Sequence, residues 1–208
     1  MKIIFLGKNK PSVVKGLQFL FDSRVSIKAI ISSPIKNENN DENELLKLAK
    51  KYNVPFMSDS ELNSILENKK KYEEKFKKID LVISYLYPKK IKEKLIQLPK
   101  IGCINFHPAP LPEFRGVSPY CFGILEDLPY WGVTCHFIDK EFDSGDIIKV
   151  KKFDVDLKKE TSFSLEQKSQ KHLFELFKNI INTIFEGKDL PRKEQGSGKY
   201  FSQNDFER

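Results

Sequence analysis

The chain has 208 residues, a length that suits one α/β domain or one domain with a short appendage, and 39% apolar residues give it enough material for a core. Charged residues reach 31% and the formal charge is +7, which suits nucleic acid, a phosphorylated substrate or an acidic cofactor, or reflects only a lysine-rich background; the lysines are scattered, and Arg24, Arg115, Arg192 and Arg208 are the only arginines. Cysteines stand at 103, 121 and 135, an odd number without a close pair, so neither a disulfide framework nor a zinc site is indicated, and no apolar run approaches a membrane span.

In chain order, Lys2 to Leu6 reads as a buried strand ending at Gly7. Pro11-Ser12 opens an amphipathic helix that turns Val14, Leu17, Phe19 and Leu20 to a core. Val25 to Ile31 is a second strand of β-branched residues, stopped by Ser32-Ser33-Pro34. Asn37 to Asn43 is polar and reads as a mobile loop, and Glu44 to Tyr52 as a helix with Leu45, Leu48 and Ala49 on one face. Val54-Pro55-Phe56 is a short strand, and Ser58-Asp59-Ser60-Glu61 carries the N-cap chemistry of a following helix. The charge run from Asn68 to Lys78 reads as a solvated helix face, with a polyanion site as the alternative.

Ile79 to Ser84 is the next strand, Pro88 starts another helix, and Ile101 to Phe106 is again a strand. Strands alternating with helices predict a mainly parallel sheet. Gly132 to Ile138 and Asp146 to Val155 are two strands joined by a turn rich in Asp, Ser and Gly, which predicts antiparallel strands at the C-terminal part of that sheet. Thr161 to Gly187 is a long helix with Phe163, Leu165, Leu173, Leu176, Phe177, Ile180, Ile181 and Ile184 available for packing and Gly187 at its C-terminal end. The expected organisation is one α/β domain over residues 1–187 and a polar tail over 188–208, with no boundary before 188. The run Met1 to Gly7 is too short for a signal peptide, so a reducing, cytoplasmic location is expected.

Asn105 and His107 lie two apart at an apparent strand end, so period-two alternation points both side chains to one side. Pro108, Pro110 and Pro112 then hold the chain in a loop, because proline cannot continue a sheet ladder. The pair therefore falls at the carboxyl end of a strand, the edge where open parallel sheets bind ligands. With Asp143 in Phe142-Asp143-Ser144-Gly145-Asp146, the chain offers an amide, an imidazole and a carboxylate, the groups needed to move an acyl unit onto an amine. Asn105 would hold the oxyanion of a tetrahedral carbon, where a lost donor typically costs roughly 3–4 kcal/mol of barrier. His107 would take a proton from the attacking nitrogen and return one to the leaving nitrogen, and Asp143 would fix the imidazole tautomer. Taken singly, a histidine beside a strand end is more often structural, and Asp-Ser-Gly-Asp is more often only a turn.

The run Ile104-Asn105-Phe106-His107-Pro108-Ala109-Pro110-Leu111-Pro112-Glu113-Phe114-Arg115-Gly116, together with Phe142-Asp143-Ser144-Gly145-Asp146-Ile147-Ile148, resembles the folate-dependent formyltransferase family. The resemblance covers roughly residues 1–155. It implies a Rossmann-like domain, transfer of a formyl group from 10-formyltetrahydrofolate to a primary amine without a metal, and a catalytic triad at Asn105, His107 and Asp143. Leu81 to Ile91 is similar to the family's strand and loop beneath the pterin. This implies cofactor contacts from Ser84, Tyr85, Leu86, Tyr87 and Ile91, with Ile138, Asp139 and Phe142 on the opposite wall; ordinary core packing is the alternative for Tyr85, Leu86 and Tyr87.

Three branches of the family compete. Glycinamide ribonucleotide formyltransferases carry a glycine-rich phosphate loop after the first strand, whereas Gly7 to Ser12 has one glycine. Methionyl-tRNA formyltransferases are longer, with a C-terminal β-barrel and a basic insertion after the second strand, whereas Ser32 to Asn43 is short and acidic-leaning. The His-Pro-Ala-Pro-Leu-Pro wording and the late Gly198-Lys199-Tyr200-Phe201-Ser202 segment resemble sugar-nucleotide N-formyltransferases, whose acceptors are amino-deoxy sugars on a nucleoside diphosphate, used in surface polysaccharides. Pro108, Arg115 and Gly116 are then expected on the substrate side. Arg115 would meet the diphosphate, with anchoring of its own loop as the alternative. Neither a nucleic acid nor a membrane is the expected partner. A homodimer is suggested by the relatives, and a binding module without catalysis is the reading from a different class.

Overall fold

The computed structural model describes residues 1–32, 43–126, 128 and 130–206. The architecture is the expected Rossmann-like α/β type, mainly parallel with antiparallel strands in its C-terminal part and helices alongside. The chain divides into two compact units, residues 1–105 and 106–208, and the division falls inside one strand.

The first unit holds β1 (Lys2–Gly7), β2 (Ser26–Ser32), β3 (Phe56–Met57), β4 (Leu81–Tyr85) and most of β5 (Gly102–His107), in the order β3-β2-β1-β4-β5. β1 pairs in parallel with β2 and β4, and β2 with β3. Ile3, Ile4, Phe5 and Leu6 are all fully buried, as a continuous apolar run must be when both faces of a parallel strand are covered. α1 (Pro11–Asp22) starts with proline in its first turn, where the missing N–H costs nothing. Its buried face is Val13, Gly16, Leu17 and Leu20, a spacing of 3, 4 and 7. Val14 and Phe19, expected toward the core, are only half-buried because Val13 takes the inner position.

α2 (Glu44–Lys51) is capped by Asn43, whose side chain accepts the Leu46 N–H at 3.1 Å. The rest of the polar stretch read as a mobile loop, residues 37–42, lies outside the described residues. β3 begins two residues later than expected, since the Val54 N–H turns back to the Ala49 carbonyl at 2.9 Å and closes α2. α3 (Asp59–Glu67) opens on the expected cap, with the Ser58 N–H donating to Glu61 at 2.7 Å and the Glu61 N–H to Ser58 Oγ at 3.3 Å. α4 (Lys69–Lys75) carries the charge run and is followed by the buried Phe76. The helix expected from Pro88 is instead the single turn α5 (Glu93–Ile96). Between Pro88 and Ile96 only Ile91 and Leu95 are buried, too few positions to seat a full helical face.

The second unit begins with the end of β5 and continues through β6 (Arg115–Gly116), α6 (Pro119–Glu126), β7 (Trp131–Phe137), β8 (Ile147–Phe153), α7 (Ser162–Phe185) and β9 (Tyr200–Phe201). β5, β7 and β8 are neighbours in that order, and β7 and β8 are antiparallel, as expected, with a register shift between Cys135 and His136. Thr161 and Ser164 form a capping box at the start of α7, which buries Leu165, Leu173, Leu176, Phe177, Ile180, Ile181 and Ile184. Phe163, read as a packing residue, sits in the first turn and is 70% exposed. α6 went unread in the sequence. Its role is to bring Phe122 and Gly123 to Trp131, so close that a Cβ at Gly123 would overlap the indole ring. The indole N–H donates to Ser169 Oγ at 2.9 Å, and that hydroxyl passes the bond to the Leu165 carbonyl at 2.7 Å, so the buried donor is satisfied.

The expected polar tail is not an isolated appendage. Its residues Tyr200 and Phe201 form β9 and pair in parallel with Arg115 and Gly116 of β6. Phe201 stacks on Phe122 with ring centroids 4.2 Å apart and on Phe114 at 5.6 Å.

Phe177 is fully buried and lies 4.9 Å, ring centroid to ring centroid, from Phe106, which immediately precedes His107. Phe177→Ala is expected to destabilise the protein by about 3–5 kcal/mol in urea denaturation, the cost of a large cavity in a packed core. A loss below about 1 kcal/mol would show that this contact does not organise the second unit.

Candidate active site

The site in the second unit is built by the loop that follows β5. Proline keeps this loop off the ladder, and Thr134 on β7 pins it: the Thr134 hydroxyl donates to the Ala109 carbonyl at 2.8 Å and accepts the Leu111 N–H at 3.1 Å. The Phe114 N–H then turns back to the Pro110 carbonyl at 3.1 Å. That turn lays the Phe114 carbonyl 2.7 Å from Nε2 of His107. His107 is 5% exposed.

Asp143 stands in the left-handed region, φ +53°, which aspartate tolerates better than most residues. Its Oδ2 accepts the Gly116 N–H at 3.0 Å and lies 3.6 Å from His107 Nδ1. Its Oδ1 lies 3.4 Å from Nε2 of His136 on β7, whose Nδ1 is 2.7 Å from the Phe137 carbonyl. The carboxylate is thus set between two buried imidazoles, each of which also meets a backbone carbonyl.

A carbonyl only accepts, so His107 carries its proton on Nε2 and turns the Nδ1 lone pair toward the carboxylate. Burial pushes the His107 pKa below the ordinary imidazole value; the Asp143 charge and the Phe114 carbonyl oppose that shift, and His136 adds to it. For Asp143, burial works against the charged form, but His107, His136 and the Gly116 N–H outweigh it and hold the carboxyl well below the usual range. At neutral pH the site therefore holds an ionised carboxylate beside a neutral His107.

In the first unit, the Ser84 hydroxyl donates to Asn105 Oδ1 at 2.7 Å. This bond decides which way the carboxamide faces: Oδ1 is committed to Ser84, and Nδ2, which carries the donors, points the other way. Asn105 and His107 share β5 with one residue between them.

The residues expected at the pterin divide between the units. Tyr85 is fully buried in the core of the first unit and offers this edge only its backbone. Leu86, with φ +53°, and Tyr87 are half-buried, and Ile91 is 8% exposed. Among the described residues, the backbone N–H groups of Tyr87 and Ile91 donate to no backbone carbonyl, the kind of edge a heteroaromatic ring can read. In the second unit Ile138 is half-buried and Phe142 is 41% exposed. The Asp139 carboxylate closes its own turn, accepting the Glu141 N–H at 3.1 Å and the Ser144 hydroxyl at 2.6 Å.

On the expected substrate side, Pro108 is half-buried, and Gly116 gives its N–H to Asp143. Arg115 donates through Nε to Gln195 Oε1 at 3.1 Å and through Nη2 to the Gly196 carbonyl at 3.0 Å, so these donors anchor the tail. His136, Thr134 and Gln195 escaped the sequence reading. A signal for the first two existed, since they are polar residues two apart on an otherwise apolar strand. Gln195 had none. No group of three potential metal ligands occurs among the described residues, and no helix among them is long and apolar enough to cross a membrane.

Residues 1–181 match a family model described as formyl transferase. The methionyl-tRNA formyltransferase of Thermotoga maritima is 28% identical over 192 residues, covering 89% of this chain and 58% of the relative. That of Protochlamydia amoebophila is 31% identical over 158 residues, covering 72% of this chain and 47% of the relative. The chain thus spans about half the length of these curated relatives. Among solved structures, WlaRD, described as a sugar 3N-formyl transferase in the presence of dTDP and 5-N-formyl-THF, superposes with a TM-score of 0.77 at 26% identity over 99% of this chain and 70% of that one. A 4-N formyltransferase from Francisella tularensis gives a TM-score of 0.73 at 28% identity over 99% and 78%.

Both His107 and Asp143 bind protons more weakly in the native protein than in the unfolded chain, so acid favours unfolding at each. The His107 contribution is lost as pH falls below the unfolded imidazole value of about 6.5, and that of Asp143 as pH falls below about 3.9. His107→Gln is therefore expected to show a smaller fall in melting temperature between pH 7 and pH 5 than the wild type. Equal falls in the two proteins would mean that His107 is not held neutral by burial.

Proposed function

This chain belongs to the formyl transferase family, and we propose that it transfers a formyl group from 10-formyltetrahydrofolate to the primary amine of an amino-deoxy sugar on a nucleoside diphosphate. The observation that carries the catalytic half is the ionised Asp143 set against His107, one residue along β5 from an amide whose direction Ser84 decides. The acceptor is supported by matches of 26% and 28% identity, each over 99% of this chain, to proteins described as sugar 3N- and 4-N formyltransferases.

The formyl donor supplies an acyl carbon already bound to a nitrogen leaving group. Asn105 Nδ2 donates to the formyl oxygen and strengthens that bond as the oxygen becomes anionic, the form of stabilisation that lowers a barrier most. The proton released by the acceptor nitrogen is drawn to the His107–Asp143 pair and returned to the departing folate nitrogen. The new carbon–nitrogen bond replaces the old one, and the proton ends on tetrahydrofolate. In the first unit, the backbone at Tyr87 and Ile91 and the half-buried side chain of Leu86 are groups suited to hold the donor's ring.

A second reading, methionyl-tRNA as acceptor, is favoured by the 28–31% identity to the curated relatives. Incubation with 10-formyltetrahydrofolate and a panel of dTDP- and UDP-linked amino sugars should release tetrahydrofolate, and charged initiator tRNA should not. Formylation of the tRNA alone, with binding that weakens steeply with salt, would replace the acceptor assignment. Saturable binding of the donor with no release for any acceptor would make the chain a binding module.

Asn105→Ala should lower kcat by about 10²–10³ and Asp143→Asn by about 10²–10⁴. Ser84→Ala should cost about tenfold, the scale of one hydrogen bond that keeps the amide from flipping. Wild-type turnover in Asp143→Asn would reject the acid–base role.

A further inference from the structure

We propose that Gln195, in the C-terminal tail, is a positioning residue that keeps the Asp143 carboxylate on the Gly116 amide and beside His107. The proposal rests on the acid–base role given to Asp143 above. Gln195 Nε2 donates to the Asp143 carbonyl at 3.0 Å and to the Gly145 carbonyl at 2.6 Å. Its Oε1 accepts from Arg115 Nε at 3.1 Å, and Arg115 Nη2 reaches the Gly196 carbonyl at 3.0 Å. One side chain therefore holds two carbonyls of the turn that Asp143 opens, its own and that of Gly145, and also holds Arg115, the residue next to Gly116. These are the two ends of the bond from the Gly116 N–H to Asp143 Oδ2. Three of these four hydrogen bonds converge on that one junction, and the fourth fixes the arginine to the tail beside it.

Two further facts separate the side chain from a general stapling role. From Pro191 to Tyr200 every residue is exposed except Gln195, which is half-buried. The backbone on either side is held independently. Lys193 exchanges two backbone hydrogen bonds with Ile147, at 2.8 and 3.0 Å. The Lys199 carbonyl accepts the Arg115 N–H at 3.0 Å, and the Phe201 carbonyl accepts the Val117 N–H at 2.9 Å. A change confined to the Gln195 side chain leaves those bonds in place.

Gln195→Glu keeps an acceptor for Arg115 but cannot donate to the two carbonyls, and Gln195→Met has a similar length and makes none of these bonds. In both full-length variants kcat for formyl transfer should fall roughly ten- to a hundredfold, the scale of a catalytic group displaced by about 1 Å, with KM for donor and acceptor changed less than about twofold. Independently of any activity, amide hydrogen exchange at Gly116 should quicken by about tenfold in both variants while exchange at Val117 stays at the wild-type rate. Unchanged exchange at Gly116, or equal quickening at Gly116 and Val117, would overturn the proposal, the second outcome assigning Gln195 to tail docking alone. Exchange behaving as expected in a protein that transfers no formyl group would leave the positioning role standing and count against the functional reading.

Discussion

A carboxylate placed where water hardly reaches governs the second unit. Removing an ionised group from solvent costs several kcal/mol unless its lone pairs are met, and a single ion pair seldom repays that cost. Asp143 is met by an amide N–H and faced by two imidazoles, which favour its charged form. Each imidazole is in turn oriented by a backbone carbonyl, from Phe114 and from Phe137. The proline loop after β5, the polar pair on β7 and the tail are thereby tied to one requirement: holding a buried charge in one place.

Orientation is handled in the same way at Asn105. A carboxamide presents a donor or an acceptor depending on a half-turn about its last bond, and the Ser84 hydroxyl makes the choice. Arg115 shows that a cation near such a site need not face a ligand. Its fork is spent largely on the tail, so a residue that the sequence offers as a phosphate contact also serves the scaffold. The tail, β6 and the Asp143 turn form one connected assembly, and the aromatic stack of Phe114, Phe201 and Phe122 lies beneath it.

Legibility in the sequence followed the range of the interactions. β1 and β4 were plain because a strand covered on both faces is written as a nearly continuous apolar run, β2 because of its β-branched residues, and β7 with β8 because a turn rich in Asp, Ser and Gly joins them. The caps at Ser58 and Thr161 are local chemistry, although only the first was read as one. Asn105, His107 and Asp143 could be singled out because two share a strand end and the third marks a turn. The α1 face was misjudged by one position, since Val13 and Val14 are equally apolar and only packing separates them. His136 was missed because a polar residue in an apolar strand states nothing about its partner. α6 lacks charged residues before Glu126 to mark a solvent face, and Gln195 acquires its meaning only through contacts about fifty and eighty positions away in sequence.

Trp131 is the chain's one tryptophan, fully buried against the α6 glycine, and lies wholly within the second unit. Ultraviolet emission excited at the red edge thus carries a natural optical tag for half of the molecule. Such a signal is blind to events confined to residues 1–105, where tyrosine is the brightest native chromophore. Set beside a measure of the whole backbone, that asymmetry separates loosening of one half from collapse of both, without any label being attached.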